Sequence, residues 1–351
     1  MQNTKIYALG LMSGTSLDGV DIVYVSFKND TEFEIIHADT IPYADALKYN
    51  LQNAFNQTES EIKKLDIEYG EYLGNLVNTF INKNNIETID FVASHGHTIF
   101  HKPEEGFTLQ IGDGKTIAKI TNQKVVCDFR SQDVALGGQG APLVPIGDQL
   151  LFSEYDYCLN LGGFVNISFD DNGIRKAFDI CPINIVMNHY TRMIGLEYDD
   201  AGKIAATGTI NTKLLNELNQ LPFYKDTNPK SLGYEFVVST IFPMIDNYDL
   251  ELKDILRTFV EHVVIQISEK ITTKGKLIIT GGGAFNTFLI NRLAAISDSE
   301  IIIPSNLIID FKEALIFAFL GLLRVENQVN CLQSVTGAKK DHSSGVIYCP
   351  N

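Results

Sequence analysis

The chain has 351 residues, 45% hydrophobic and 20% charged, which suits about two domains with sizeable cores. Its 28 Lys and Arg against 43 Asp and Glu leave a formal charge of −15, so nucleic acid and anionic membranes are excluded as natural partners, and an anionic small substrate needs a local positive site. Five cysteines (Cys127, Cys158, Cys181, Cys331, Cys349) form no CxxC pair and are odd in number, which reads as a reduced intracellular protein rather than a disulfide scaffold.

The first apolar run, Ile6 to Leu9, is short and has no small-residue cleavage pattern behind it, so it predicts a strand rather than a signal peptide. No apolar stretch reaches the ~18 residues that a membrane span needs, and a soluble cytoplasmic protein is expected. Next comes Gly10-Leu11-Met12-Ser13-Gly14-Thr15-Ser16-Leu17-Asp18-Gly19-Val20-Asp21, followed by the alternating strand Ile22 to Phe27. Two strands joined by a turn of Gly, Ser and Thr present backbone N–H groups and hydroxyls at one point, as a phosphate cradle does. Asp18 and Asp21 add carboxylates able to hold Mg²⁺ through water. The run is not a Walker A loop, since no Gly-Lys-Ser/Thr ending and no helix follow it. Spacing alone leaves a phosphate hairpin and an ordinary glycine-rich turn both open. A polar turn (Lys28-Asn29-Asp30) then leads into a strand from Phe33 to Thr40.

Ile62, Leu65, Tyr69, Leu73, Leu76 and Phe80 predict an amphipathic helix over 61–81. His95, His97 and His101 match no strong zinc spacing and have no cysteine beside them, which favours a polar loop over a metal site. The strand order then recurs. Tyr155 to Leu161, a Gly162-Gly163 turn, Val165 to Phe169, the hairpin turn Asp170-Asp171-Asn172-Gly173 and Ile174 to Asp179 repeat the opening pattern about 150 residues later, which implies two similar domains. Ile255 to Ile271 reads as a helix, and Leu277 to Thr280 as a buried strand ending in Gly281-Gly282-Gly283, a turn suited to a nucleotide base or sugar packed on bare backbone. A last helix is predicted over 311–323. The boundaries expected are 1–150 and 151–351, with the option that the last helix packs back on the first domain.

Gly10 to Asp21, Ser94-His95-Gly96, Asp128-Phe129-Arg130, Gly137 to Pro145, Leu161-Gly162-Gly163, Thr280 to Ala284 and Ser334-Val335-Thr336-Gly337-Ala338 occur in this order. Together they resemble the motifs of the bacterial anhydro-N-acetylmuramic acid kinases over nearly the whole chain. The resemblance implies an α/β protein of two RNase-H-like (actin/hexokinase-type) domains with a central cleft between them. It also implies ATP and Mg²⁺ as cofactors, an amino-sugar substrate and a role in peptidoglycan recycling; a homodimer is expected. The sugar of that family carries a 1,6-anhydro bridge, so water attacks the anomeric carbon while the bridging oxygen takes the γ-phosphoryl group. The family's catalytic base lies in an FDxGPxN segment, which here is Phe178-Asp179-Ile180-Cys181-Pro182-Ile183-Asn184, with Cys181 for Gly and Ile183 for a small residue. Asp179 is therefore the expected base, although an Asp at a strand end is also a common turn former.

The resemblance further implies nucleotide contacts from Met12, Ser13, Gly14, Thr15, Ser16, Leu17, Asp18, Gly19, Gly162, Gly163, Gly281, Gly282 and Gly283. His95, Arg130 and Asn184 are the expected sugar contacts. Arg130 suits the lactyl carboxylate by a bidentate pair, and a structural ion pair is its alternative. Asp18 and Glu313 are the expected ligands to Mg²⁺ through water; an acidic first turn complementing a helix dipole is the other reading of Glu313. Lys230, in a PKSxGxE-like loop, is either on the substrate side or on the surface. His97 stands where the family has Gln. Two other functions compete with a kinase of this sugar: a non-catalytic actin-like nucleotide switch, and a kinase of an ordinary sugar hydroxyl.

Overall fold

The computed structural model describes residues 5–14, 17–28, 31–225 and 231–350. The first apolar run forms β1 (Ile6–Met12), and β2 (Gly19–Phe27) returns antiparallel beside it with Met12 opposite Asp21. β3 (Phe33–Pro42) completes the meander. β4 (Phe91–Ser94) lies parallel to β1 on its other side. After it come a separate hairpin, β5 (His97–Lys102) with β6 (Phe107–Ile111), and then β7 (Val125–Cys127), parallel to β4. The second meander is β8 (Tyr157–Leu161), β9 (Phe164–Asp171) and β10 (Ile174–Pro182), extended by β11 (Lys276–Thr280) and β12 (Glu300–Ile302), which continue parallel from β8. The final strand, β13 (Val346–Tyr348), pairs antiparallel with β7.

The two sheets therefore read β3-β2-β1-β4-β7-β13 and β10-β9-β8-β11-β12. Each places its first strand centrally, with an antiparallel meander on one side and parallel strands on the other. This is the RNase-H-like arrangement, present twice as the repeated strand order predicts.

Alternation along β1 decides what covers the first sheet. Leu9 and Leu11 are buried in a cluster with Ile62, Leu65, Tyr69, Leu73 and Phe80 of the helix Glu59–Lys83. That helix starts where the sequence allows, because Thr58 and Glu61 form a capping box. Gly10, on the opposite face, meets the helix Asn306–Val325 so closely that a Cβ there would stand 2.2 Å from the Ala314 carbonyl oxygen. The second sheet is packed by the helix Leu252–Ser268 through Leu256, Phe259, Val260, Val263, Val264 and Ile267.

The chain divides into two compact units, Met1–Ser153 with Phe311–Asn351, and Glu154–Asp310. The sequence boundaries kept 311–351 with the second domain apart from the option for the last helix. Pairing of β13 with β7 and packing of Ala314 on Gly10 place those residues with the first unit instead. The strands β4, β7, β12 and β13 carry no expectation from the sequence, being too short for a period-2 pattern to stand out. Among the described residues, no helix is long and apolar enough to cross a membrane.

Candidate active site

In the first unit, the β1–β2 turn is held from below. Ser13 is buried and its hydroxyl donates to the Gly96 carbonyl at 2.8 Å, while the Tyr43 and Tyr69 hydroxyls, 2.7 Å apart, also engage it. Burial pushes the Tyr43 phenol up to about 12, so these groups remain neutral donors. Leu17 adopts a left-handed backbone (φ 59°) and buries its side chain in the core, which anchors the chain just before β2. Gly19 admits no side chain, since a Cβ would lie 2.3 Å from the Ile41 carbonyl oxygen on β3. Asp18 is exposed at the turn, and Asp21 accepts a hydrogen bond from Thr40 at 2.6 Å. Met12 and Gly14 are half-buried at the turn's base, and Thr15 and Ser16 lie outside the described residues. Ser13 thus faces inward, because the tyrosine pair and Gly96 take up its hydroxyl.

The Ser94-His95-Gly96 and Asp128-Phe129-Arg130 motifs meet. Arg130 donates to Nε2 of His95 through Nε (3.1 Å) and Nη2 (2.9 Å), and through Nη1 to the Gly140 carbonyl (2.6 Å). His95 Nδ1 lies 2.8 Å from the Gly96 carbonyl, which can only accept, so the neutral Nδ1–H tautomer is required. The ring rests on Phe317 at 4.6 Å between centroids. Burial, then the Arg130 charge, lower the His95 imidazole to about 3. Among the described residues no carboxylate lies within ion-pair distance of Arg130, and burial lowers its guanidinium to about 10, still a cation at neutral pH. The structural ion pair weighed for Arg130 is therefore absent among them. A part-buried cation held by a neutral imidazole and a carbonyl is suited to receive an anion.

This arrangement has a consequence for acid stability. Unfolded His95 takes a proton near 6.5, whereas the folded imidazole resists protonation until about 3. Its contribution to stability is complete above the unfolded value and drains away as pH falls through that window, at up to ~1.4 kcal/mol per pH unit. The denaturation midpoint followed against pH should fall less steeply in His95→Asn than in the parent chain. Parallel curves would remove His95 from the acid-labile groups.

In the second unit, two glycine turns lie side by side at the carboxyl ends of the adjacent parallel strands β8 and β11. Gly163 and Gly282 are exposed, while Gly162 and Gly281 are half-buried. Gly281 has φ 80°, and a Cβ on it would stand 2.3 Å from Asn160 Oδ1; one on Gly283 would stand 2.6 Å from the Leu161 Cβ. Asn184 Nδ2 donates to the carbonyls of Leu161 (2.9 Å) and Gly162 (2.7 Å). Both amide hydrogens are thus taken by the first glycine turn, and only the Asn184 side-chain oxygen remains for a ligand. The side chain expected to touch the sugar also sets the conformation of the Gly162 turn.

Asp179 sits at a β-bulge. It pairs with Asn166 and Cys181 pairs with Val165, so Ile180 is the extra residue. The strand expected to end at Asp179 runs on to Pro182, so the residue lies within β10, where a bulge re-aims a side chain; the Asp179 carboxylate accepts the Leu232 backbone N–H at 2.8 Å. Burial raises its carboxyl above the usual range, and the Leu232 amide partly opposes this. Cys181 and Ile183, the two departures from the family segment, are fully buried in the core of this unit. Leu232 carries no signal of its own in the sequence beyond its place in the PKSxGxE-like loop, and Lys230 of that loop lies outside the described residues.

Glu313 is exposed by area but closely surrounded. Desolvation raises its carboxyl, opposed by Lys312 and Arg130 and reinforced by Asp21 and Asp148. His97 is buried with Nδ1 unpaired and its imidazole lowered to about 4 by burial, whereas His101 bonds Thr108. Among the described residues, the three histidines do not gather into a metal-ligand group.

Comparison with known proteins gives concordant matches. A family model described as anhydro-N-acetylmuramic acid kinase matches residues 6–350. A protein of that description from Hydrogenovibrio crunogenus is 37% identical over 372 residues, covering 99% of both chains. Another from Shewanella loihica is 35% identical over 369 residues, covering 99% of this chain and 100% of the relative. Among solved structures, the activator of the 2-hydroxyisocaproyl-CoA dehydratase from Clostridium difficile with bound ADPNP aligns at a TM-score of 0.45 and 14% identity, covering 92% of this chain and 97% of that one.

Proposed function

The chain belongs to the anhydro-N-acetylmuramic acid kinase family, and from that premise we propose how its own residues perform the chemistry of an ATP-dependent kinase acting on that sugar in peptidoglycan recycling. Water attacks the anomeric carbon, the anomeric bond to the bridging oxygen breaks, and that oxygen takes the γ-phosphoryl group, giving N-acetylmuramic acid 6-phosphate and ADP. Asp179 removes the proton from the attacking water. The observation that carries this assignment is the bulge that aims its carboxylate, together with the single Leu232 N–H that holds it. One backbone donor fixes the orientation, while burial keeps the carboxylate basic enough to accept a proton.

Arg130, oriented by His95 and Gly140, binds the lactyl carboxylate that distinguishes a muramic acid from other amino sugars. The Gly162-Gly163 and Gly281-Gly282-Gly283 turns offer bare backbone to a nucleotide in the second unit, and the Gly14–Gly19 turn of the first unit is by its motif a phosphate hairpin. Thr15 and Ser16 belong to that hairpin by sequence. Of its described members, Met12, Ser13 and Leu17 shape the turn, and Asp18 offers a carboxylate. Mg²⁺ takes hard oxygen ligands and usually keeps several waters. Asp18, exposed at the turn, and Glu313, which has the Asp21 and Asp148 carboxylates among its charged neighbours, offer the oxygen donors such an ion takes. When bound there, the ion neutralises charge on the transferring phosphate.

The reading is tested by ADP release with 1,6-anhydro-N-acetylmuramic acid against a panel of plain hexoses, run in ¹⁸O-labelled water. Turnover with the anhydro sugar alone is expected, with label at the anomeric position. Equal turnover on plain hexoses would point to a kinase of an ordinary hydroxyl, and label in the phosphate would overturn the ring opening.

A further inference from the structure

Apart from the groups assigned so far, the first unit contains a second chemical cluster. Cys331 and His342 face each other as an antiparallel bridge, each donating its backbone N–H to the other's carbonyl at 3.1 Å, so both side chains leave from the same register position. Asp133, on the short helix Ser131–Ala135, meets them. Cys331 Sγ lies 3.1 Å and His342 Nε2 3.5 Å from Asp133 Oδ1, and the three ligand atoms all stand within 4.8 Å of one another. The side chains are 0%, 1% and 5% exposed for Asp133, Cys331 and His342.

His342 supplies an independent sign. Its Nδ1 stands 3.0 Å from the Lys340 carbonyl, which can only accept, so Nδ1 carries a proton and, in the neutral ring, Nε2 holds the lone pair. That Nε2 is buried with no hydrogen-bond partner, and it points toward a carboxylate oxygen that also offers only lone pairs. Two acceptors facing each other in the protein interior repel unless a cation lies between them.

We propose that Asp133, Cys331 and His342 form a structural site for one divalent zinc-class cation. A thiolate, an imidazole and a carboxylate are the ligand types such an ion selects, and tetrahedral bonds of ~2.0–2.3 Å set ligand atoms roughly 3.5 Å apart, close to the separations here. On binding, the Cys331 thiol loses its proton to water, its hydrogen bond to Asp133 gives way to an S–metal bond, and His342 Nε2 donates its lone pair. Thr336 Oγ1, 2.7 Å from the same Asp133 oxygen, stands where a fourth ligand or a bridging water would be held.

The site has a structural consequence for the anion-binding side chain. Asp133 Oδ2 also accepts the Gly140 N–H at 2.7 Å, and the Gly140 carbonyl holds Arg130 at 2.6 Å. An ion fixing Asp133 to the C-terminal segment therefore steadies the loop behind Arg130. In this reading it touches no reacting atom and works as a clamp on that loop.

Metal content and Co²⁺ spectra of the full chain, freed of any affinity tag, test the proposal. The purified parent chain, equilibrated with Zn²⁺ and desalted, is expected to retain about one ion per chain, and Co²⁺ in its place should give a thiolate-to-metal charge-transfer band. Cys331→Ser, which keeps a donor to Asp133, and His342→Gln should both lose the ion while far-ultraviolet circular dichroism shows them folded. Cys349→Ser, at the exposed cysteine, should retain it. No retained Zn²⁺ in the parent chain, the same stoichiometry in Cys331→Ser, or bound Co²⁺ without the charge-transfer band would each overturn the site. In that case a proton rather than a metal bridges His342 and Asp133.

Discussion

Asp179→Asn is expected to lower turnover by ~10²–10⁴, equivalent to ~3–5 kcal/mol of barrier, with little change in ATP affinity. The asparagine keeps the size of the side chain and can still accept the Leu232 N–H seen at 2.8 Å in the parent chain. It cannot take a proton from water. A steady-state comparison with the anhydro sugar varied should therefore show the loss in kcat, since a base acts in the transition state and contributes little to ground-state binding. The same carboxyl is raised by burial, so the parent enzyme should lose activity as pH falls through a value above the ordinary aspartate range. That acid limb should be missing from the residual activity of the variant. Near-normal turnover in Asp179→Asn would remove the base assignment, and an unchanged acid limb would assign the limb to another group.

Arg130→Met is expected to cut kcat/KM for the anhydro sugar by roughly 10–150-fold, the ~1.5–3 kcal/mol of a charge-assisted contact to a carboxylate. ATP affinity should be unaffected. The discriminating measurement uses the analogue that lacks the lactyl group, 1,6-anhydro-N-acetylglucosamine. If Arg130 reads the carboxylate, the parent and the variant should handle that analogue alike, because the contact is absent in both. A similar loss with both sugars would make Arg130 a structural residue of the loop at Gly140. The substitution also strips His95 Nε2 of the guanidinium 2.9 Å away, so the imidazole, at about 3 in the parent, should move upward toward its ordinary value in an NMR titration. Arg130→Lys separates charge from geometry: the ammonium restores a positive charge without the planar fork.

Much of the architecture was legible along the chain because it follows from local rules. Period-2 runs broken by glycine or Asp-Asn-Gly turns announced both meanders, and the stripe from Ile62 to Phe80 announced the helix that buries those same residues. The helix read over 255–271 occurs as Leu252–Ser268 with the same inward face. The candidate base was named through the resemblance of Phe178 to Asn184 to the family segment, and where the sequence ends the strand at Asp179 the pairing carries it on to Pro182. Asn184 belonged to that segment as well, yet its amide turns back to Leu161 and Gly162, a choice made by where β8 ends relative to β10. No periodicity carries that information.

Sequence alone determined the two α/β repeats, the glycine turns at the ends of their strands, the apolar helix faces and the identity of Asp179 as a candidate. The first three depend on propensity and spacing within a few turns of chain, whereas Asp179 is singled out by the family segment it resembles. Tertiary structure decided how charged and polar groups are matched. It put the Arg130 guanidinium on a neutral His95 35 positions away, gave Asp179 its Leu232 amide 53 positions on, and brought Cys331 to Asp133 across 198. It also sent Ser13 inward to Gly96 rather than outward. The physical reason is that a side chain's protonation state and reach depend on burial and on neighbours brought near by sheet pairing and helix packing. Those neighbours leave no periodic trace in the stretch of chain where the side chain itself resides.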